Sequence, residues 1–550
     1  GAVEVSGTVI SPAGPLQFLK LNGDKVTVKA NGTFSTALFA EPGINVLDFN
    51  ARDSFDRNAK TVRSFLFAEE LYQVGNDKAV VYMDDAARVF LRADVWDDDN
   101  SGDVDDIATV VYAIVNNLDV NALIPSGIVY STALCDWTID ISQVDYALQS
   151  VDLDPAQGVL KLKGGFINFE AWVDAVAPFC PDGHGWVTVE KINFDAELEV
   201  KVANDSVIVE LSYIDVEVIG IDVDLVEGLA SYFDWIVGWF DGTFASLIEE
   251  KLETLLPDEV VPMLVSLLNE FLEKEQEIPI PPIPGTTSSL PLVLKTHPED
   301  ADLSAAGTAF AVSVGIGSKK LINHDAPGTF KRGDCGGQDT GLFALPKSGQ
   351  LEAAVSEDLV NQLLFQLWWG GHFTASITSD ILDPLLENFD ITGLVVKLDP
   401  YLPPLYTSCT PSGAPEMQLG DINVWASFSM GSQNGEVDLF ASLKVGAQVV
   451  AANGALGLAV GEVSELGLDV VSAQGMMEGN EELLEQLLTE VLVNILIKDY
   501  LADVLAAYPI PAVNLGALAG DYFPAGTVVK FKPTAASSDH GFLLLVGETD

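Results

Sequence analysis

The sequence predicts an α+β protein. An N-terminal β-sandwich is followed by two units, each a highly twisted antiparallel sheet wrapped around a long helix. Three observations predict this. In residues 480–507, Leu483, Leu484, Leu487, Leu488, Val491, Leu492 and Ile495 recur at helical spacing, and from Val491 to Ile497 only Asn494 is polar. A helix apolar on every side must be enclosed, and Glu485, Glu490, Lys498 and Asp499 break it into runs too short to span a bilayer. Residues 421–430, 436–450 and 453–471 alternate as strands do. One order of elements also occurs twice: strands, a long apolar helix, and a Pro-rich exit at Ile278-Pro-Ile-Pro281 and Tyr508-Pro-Ile-Pro511.

Taken in order, residues 1–67 read as short strands separated by turn signals such as Asn22-Gly23, Asn31-Gly32 and Pro42-Gly43. This stretch resembles the immunoglobulin-like modules of bacterial surface proteins, without the Cys/Trp/Cys core of antibody domains. The resemblance implies a spacer or stalk.

Residues 68–290 form the second unit and contain an acidic loop at 94–106. Asp97, Asp99, Ser101, Asp103 and Asp105, with Gly102 at the turn, stand at the oxygen-ligand spacing of a Ca²⁺ loop. Ala108 stands where an EF-hand has its bidentate Glu. The same residues also read as an acidic helix N-terminus ahead of a helix at 107–118. Residues 137–226 alternate as long antiparallel strands. A helical stretch follows over 240–274, carrying Val260, Leu264, Leu267, Leu268 and Phe271, and then the extended 278–284. Residues 291–550 form the third unit. They hold a strand at 308–317, a helix at 356–369 capped by Ser356 and carrying Leu363, Leu364, Leu367 and Trp368, and the helix read over 480–507.

The chain has 550 residues, 48% hydrophobic and 20% charged, which excludes a disordered chain. Lys and Arg number 27 against 81 Asp and Glu, a net charge of −54. That argues against nucleic acid and anionic membranes as partners, since both need a basic face. The four cysteines, Cys135, Cys180, Cys335 and Cys409, form no Cys-x-x-Cys. Their even number in separate loops fits two disulfides, and the repeated organisation favours Cys135–Cys180 and Cys335–Cys409 in an oxidising, extracytoplasmic compartment: periplasm, outer-membrane surface or secreted.

Residues 355–377 (VSEDLVNQLLFQLWWGGHFTASI), 398–428 and the helix and last strand of the third unit resemble bactericidal/permeability-increasing protein and the lipopolysaccharide-binding proteins. Residues 240–279 resemble the end of that family's first barrel. The resemblance spans residue 71 to the C-terminus and implies the tubular lipid-binding fold: two barrels joined through a central sheet, each with an apolar tunnel for acyl chains. Phospholipid-like amphiphiles are then the expected partners and bound lipid the expected cofactor. Val260, Leu264, Leu267, Leu268 and Phe271 are the expected lining of the first barrel, and Leu363, Leu364, Leu367, Trp368, Leu487, Val491 and Ile495 that of the second. The same apolar stripes also suit a filled core. Small residues in the facing strands, among them Ala447, Ala451, Gly457 and Gly461, leave room beside the helix.

Gly333-Asp-Cys-Gly-Gly337 resembles the Gly-Asp-Ser-Gly-Gly of trypsin-like proteases with Cys in place of Ser. His184, His297, His324, His372 and His540 all fall in loops or turns without a triad context, so a half-cystine is the preferred reading and no catalytic residue is assigned. Non-enzymatic lipid binding is the preferred function, a structural or adhesive surface role in which the barrels are scaffold is the alternative, and a hydrolase is the weakest reading because no nucleophile–base set can be assembled.

Overall fold

The computed structural model describes residues 1–12, 14–100, 106–116, 127–131, 136–178, 182–225, 246, 250, 253–254, 256–280, 282, 291–333, 351–378, 391–410, 412–430, 432–452, 455–475, 489, 493, 497–498, 512–514, 528–539 and 541–549. The chain opens with β1 (Ala2–Thr8), β2 (Leu16–Leu21), β3 (Asp24–Val26), β4 (Thr33–Phe39), β5 (Gly43–Asp53) and β6 (Asn58–Phe67). β1 pairs with β4, and β3-β2-β5-β6 form a four-stranded sheet. Leu19, Leu21, Val26 and Phe34 give this unit a small core of its own.

β7 (Glu70–Tyr72) and β8 (Tyr82–Arg92) lead to the short α1 (Ala93–Trp96) and to α2 (Ile107–Asn116). Then come β9 (Ile128–Ser131), β10 (Asp136–Ala156), β11 (Val159–Val176), β12 (Gly183–Ala203) and β13 (Ser206–Leu225), one antiparallel sheet in the order β13-β12-β11-β10-β9. A crease crosses it. Gln143 in β10, Asn168 in β11 and Gly220 in β13 all take positive φ, and β10 shifts register against β11 between Ser142 and Ser150. Such irregularities bend strands and raise their twist, which curls the sheet into a half-barrel. Gly220 is required twice over: its φ is 70°, and a Cβ there would lie 2.7 Å from that of Glu190.

After a π turn at Leu256–Val260 comes α3 (Val261–Leu272), with Pro262 in its first turn. The helix stops two residues short of the predicted 274, because Glu273 turns extended and Lys274 begins a strand. β14 (Lys274–Pro279), β15 (Pro291–Ser304), β16 (Gly307–Gly317), β17 (Thr329–Lys331) and β18 (Leu351–Ser356) follow, then α4 (Glu357–Trp369). The second curled sheet holds β19 (Ala375–Thr378), β20 (Ile391–Pro400), β21 (Leu405–Thr407), β22 (Glu416–Met430), β23 (Gln433–Ala452) and β24 (Ala455–Gly475). Its order is β19-β20-β22-β23-β24, with β21 on β22. β25 (Ala512–Asn514), β26 (Val528–Asp539) and β27 (Phe542–Thr549) close the chain.

The two curled sheets meet at a central eight-stranded sheet ordered β14-β15-β16-β8-β18-β27-β26-β25. It interleaves strands from far-apart parts of the chain. The expected boundary at residue 290 falls between β14 and β15, which are neighbours in it. One hydrophobic cluster runs through all three sheets. Among the described residues no helix is long and apolar enough to cross a membrane.

α4 is buried at every position except Asp358, so its polar side chains need partners inside the protein. Ser356 caps it, accepting from the Leu359 amide. Gln362 accepts from the Ile316 amide at 3.0 Å and donates to the Val81 carbonyl at 2.9 Å, just past the last β16–β8 pair, Gly315 with Tyr82. Gln366 accepts from the Ser318 amide at 2.8 Å. Asn361 both donates to and accepts from the backbone of Tyr406 in β21. Gly317 lets the incoming chain pass, since a Cβ there would lie 2.3 Å from the Asn76 carbonyl oxygen. At the helix start, Glu357 accepts from the Ser408 amide and faces Arg332 at 3.4 Å, while Asp358 accepts from the Arg332 amide and the Tyr72 hydroxyl.

The N-terminal unit does not stand off as a stalk. β5 and β6 lie on β22, β23 and β24. Arg63 pairs with Asp469 and stacks 4.2 Å above the Phe440 ring, the Ser64 amide donates to Asp421 at 2.7 Å, and the Ile44 amide donates to Gln418 at 2.6 Å.

Replacing Gln362 with Leu strands the Ile316 amide and the Val81 carbonyl. Chemical denaturation should show a loss of about 2–4 kcal/mol, and a loss within error would refute the role assigned to this amide. Burial pushes the Glu357 and Asp358 carboxyls above their ordinary values of 4.5 and 3.8. The folded state therefore holds these protons more tightly than the unfolded chain, and the two groups lower stability as pH rises from the ordinary range into the raised one. Glu357→Gln should flatten part of that slope in unfolding measured from about pH 4 to 7; an identical slope would count against it.

Candidate functional site

The candidate site is the inward face of each curled sheet. Alternation along the long strands puts every second side chain on that face, and the register sets which ones meet. In the first sheet Val187, Val189, Ile192, Phe194 and Ala196 of β12 are fully buried. They pair directly with Val223, Ile221, Val218, Val216 and Ile214 of the edge strand β13, and every one of those is only half-buried. The second sheet repeats this. Val437, Ala441, Leu443, Val445 and Ala447 of β23 are fully buried, and their partners Ala473, Leu468, Leu466, Val463 and Val460 on the edge strand β24 are half-buried. Each half-barrel thus has a packed floor and one apolar wall left partly open.

On the outer face of β13 stand Glu210, Asp215, Glu217, Asp222 and Asp224, all exposed. The charge lies outside and the grease inside.

α3 packs on β13 and is buckled to it by Asn269, which accepts from the Val207 amide at 2.7 Å and donates to the Val207 carbonyl at 3.1 Å. Val260, Leu264, Leu267 and Leu268 are buried in the core cluster, and Phe271 is half-buried against it. Leu363, Leu364, Leu367 and Trp368 are buried in the same cluster on α4, which lies against β8, β16, β17, β18 and β21. Leu487, Val491 and Ile495 lie outside the described residues. Of the helix read over 480–507, Ile497 is fully buried in the cluster and Val493 packs against it. The β13 and β24 rows were missed as site residues. Their alternation was legible, but their exposure depends on which strand ends up at the edge.

Two polar clefts stand out among the described residues, and the second reaches Phe194 of the β12 row. One of about 510 Å³ opens between α3, β14 and β15, lined by Tyr82, Asp205, Glu273, Lys295 and His297 among others. The other, about 420 Å³, lies on the first sheet beside Asp152, Lys163, Lys191 and Glu217.

In the acidic loop, Asp97 accepts from the Asp99 and Leu153 amides. Asp106 is the helix cap: it accepts from the Thr109 and Asp98 amides. Burial, with Asp97, Asp154 and Asp99 close by, raises the Asp152 carboxyl above its ordinary range. Ser101, Asp103 and Asp105 lie outside the described residues, and among the described residues no group of three or more His, Cys, Asp or Glu is set to hold a metal ion. Cys409 is disulfide-bonded; Cys135, Cys180 and Cys335 lie outside the described residues. His324 faces Asp399 at 3.1 Å, and His297 lies 3.9 Å from Asp205.

Two curled half-barrel sheets thus share one central sheet. The chain is similar to lipopolysaccharide binding protein, with 12% identity and a TM-score of 0.42 over 85% of this chain and 99% of that one. It is also similar to P47 of Clostridium botulinum E1 (8%, TM-score 0.25, 84% and 99%) and to P47 from Clostridium botulinum A2 (10%, TM-score 0.23, 84% and 97%). No family model and no curated protein matches the chain.

Proposed function

We propose that this protein binds acyl-chain amphiphiles, phospholipid-like lipids foremost, along the two half-open apolar rows, and catalyses no reaction. The observation that carries the reading is the matched fall in burial from β12 to β13 and from β23 to β24. An acyl chain laid on such a wall gains about 0.8 kcal/mol per buried CH₂ and needs no charged partner. The helices read over 240–274 and 480–507 would form the other wall, with Leu487, Val491 and Ile495 facing the second row. Transfer between membranes is a further step of the same reading. We also propose an immunoglobulin-like sandwich for residues 1–67, the pairings Cys135–Cys180 and Cys335–Cys409, and an extracytoplasmic location, which the bonded Cys409 supports.

We propose further that Asp97, Asp99, Ser101, Asp103 and Asp105 take a calcium ion. In support, the Asp97 carboxylate is fixed at the start of the loop by the Asp99 and Leu153 amides.

Native mass spectrometry before and after organic extraction should find co-purified lipid. Val216→Asp with Val218→Asp, and Leu466→Asp with Leu468→Asp, should each weaken uptake of a fluorescent acyl probe about tenfold or more while far-UV circular dichroism stays unchanged. Finding neither lipid nor uptake would end the lipid reading and leave the scaffold role. For calcium, adding the ion should raise the melting temperature, and Asp97→Asn with Asp99→Asn should abolish the rise. A rise that persists in the double variant would place the ion elsewhere.

A further inference from the structure

The larger of the two polar clefts, about 510 Å³, has the size of a small-molecule site, for which about 300–1,000 Å³ is usual. Four parts of the chain meet around it: the turn from β12 to β13, the end of α3, β14 with β15, and the start of β8. Its lining begins in the central sheet. Tyr82 of β8 is directly opposite Gly315 of β16, Gly315 is opposite Lys295 of β15, and Lys295 is opposite Glu275 of β14. Residues directly opposite share a face. His297 is on that face too, two places along from Lys295 and opposite Ser313. Tyr82 and His297 are therefore two strands apart, roughly 9–10 Å between backbones. The places between them on β16 hold only Gly315 and Ser313, so the two rings close on each other, with centroids 4.5 Å apart and planes at 57°. Tyr82 stays 38% exposed to the cleft side.

Carboxylates crowd the same cleft. Asp205, Glu270, Glu273 and Glu275 line it with Lys274 and Lys295. Lys295 is taken by Glu275 at 2.8 Å. That leaves three carboxylates against Lys274 and against His297, which lies 3.9 Å from Asp205. Two of the three stand at the wrong end of a helix. α3 ends at Leu272 with no basic residue in its last turn, and Glu270 and Glu273 sit at its negative C-terminus, where a cation is favoured. The negative field reaches the ring: burial raises the Tyr82 hydroxyl above its ordinary value, and Glu275, Asp205 and Glu273 add to this against Lys295. Yet no three of the described His, Asp or Glu residues are set to hold a metal ion.

We propose that this cleft takes an organic ammonium group, a quaternary one such as choline foremost. A metal ion such as Ca²⁺ needs several oxygens closing on it at about 2.3–2.6 Å. A quaternary ammonium needs an aromatic face within about 6 Å and gains from carboxylates farther out. Tyr82 supplies the face, His297 holds that ring in place, and Asp205, Glu270 and Glu273 supply the field. The ammonium arrives either free in solution or as a lipid headgroup, and the experiment separates the two. The proposal does not rest on acyl chains in the apolar rows, because acyl-probe uptake reads those rows and choline alone reads the cleft.

The test is calorimetric titration of the full chain with choline chloride at low salt. Binding should saturate at one site. Tyr82→Phe should retain it, and Tyr82→Leu should weaken it about tenfold. Asp205→Asn with Glu270→Gln should weaken it by a similar factor, with far-UV circular dichroism unchanged in each variant. Flotation with phosphatidylcholine vesicles that free choline competes away and Tyr82→Leu abolishes would assign the site to a lipid headgroup. Choline binding without flotation would assign it to a free ammonium ligand. No saturable heat, or full binding by Tyr82→Leu, would overturn the proposal. So would displacement of choline by an equal concentration of potassium chloride, because the carboxylates would then be taking any cation.

Discussion

The structure depends on how one helix, buried at every position but Asp358, settles its polar groups. α4 sits where the central sheet, β17 and β21 converge, with no side open to water. Gln362, Gln366 and Asn361 act as extra peptide units there, taking up the backbone groups of Ile316, Val81, Ser318 and Tyr406 that no neighbouring strand completes. Each such group left alone in the interior costs about 1–3 kcal/mol. Three side-chain amides therefore extend the β16–β8 ladder past its last pair and tie β21 to the helix. Both curled sheets are rooted in that centre.

Curl and charge follow two simple rules. Left-handed residues set in line across a sheet bend it along a crease, and Gln143, Asn168 and Gly220 do this in the first half. In the second sheet Gly393 and Asp421 take positive φ beside register shifts in β20 and β22. Asp421 also receives the Ser64 amide, so an irregularity that bends the sheet helps to hold the N-terminal unit on its outer side. Alternation then sends carboxylates outward and aliphatic side chains inward. Among the described residues the half-open rows on β13 and β24 lie on edge strands, where a side chain has a neighbouring strand on one side alone.

Much was legible in the chain itself. Alternation over 137–226 and 421–471 marked the long strands, though they run to 15–21 residues and join as two curled sheets. Ser356 before an acidic first turn and an apolar run marked α4 and its cap. The Asn22-Gly23 turn joins β2 to β3 through two left-handed residues, as that dipeptide predicts. All of these are local: they follow from periods of two and 3.6 and from the φ preferences of single residues.

What the sequence determined by itself was therefore the identity and facing of most elements, together with an apolar content that demanded enclosure. Tertiary structure decided the rest. Gln362 reads as a surface glutamine until Val81, 281 positions away, is brought beneath it. Arg63 reads as a solvated charge until Asp469, 406 positions away, meets it. His297 reads as a turn histidine until β15 sets it 3.9 Å from Asp205 of the β12–β13 turn and against the Tyr82 ring. The physical reason is the same in each case: hydrogen bonds and charges act over a few ångströms, and only the folded chain sets which distant residues come that close.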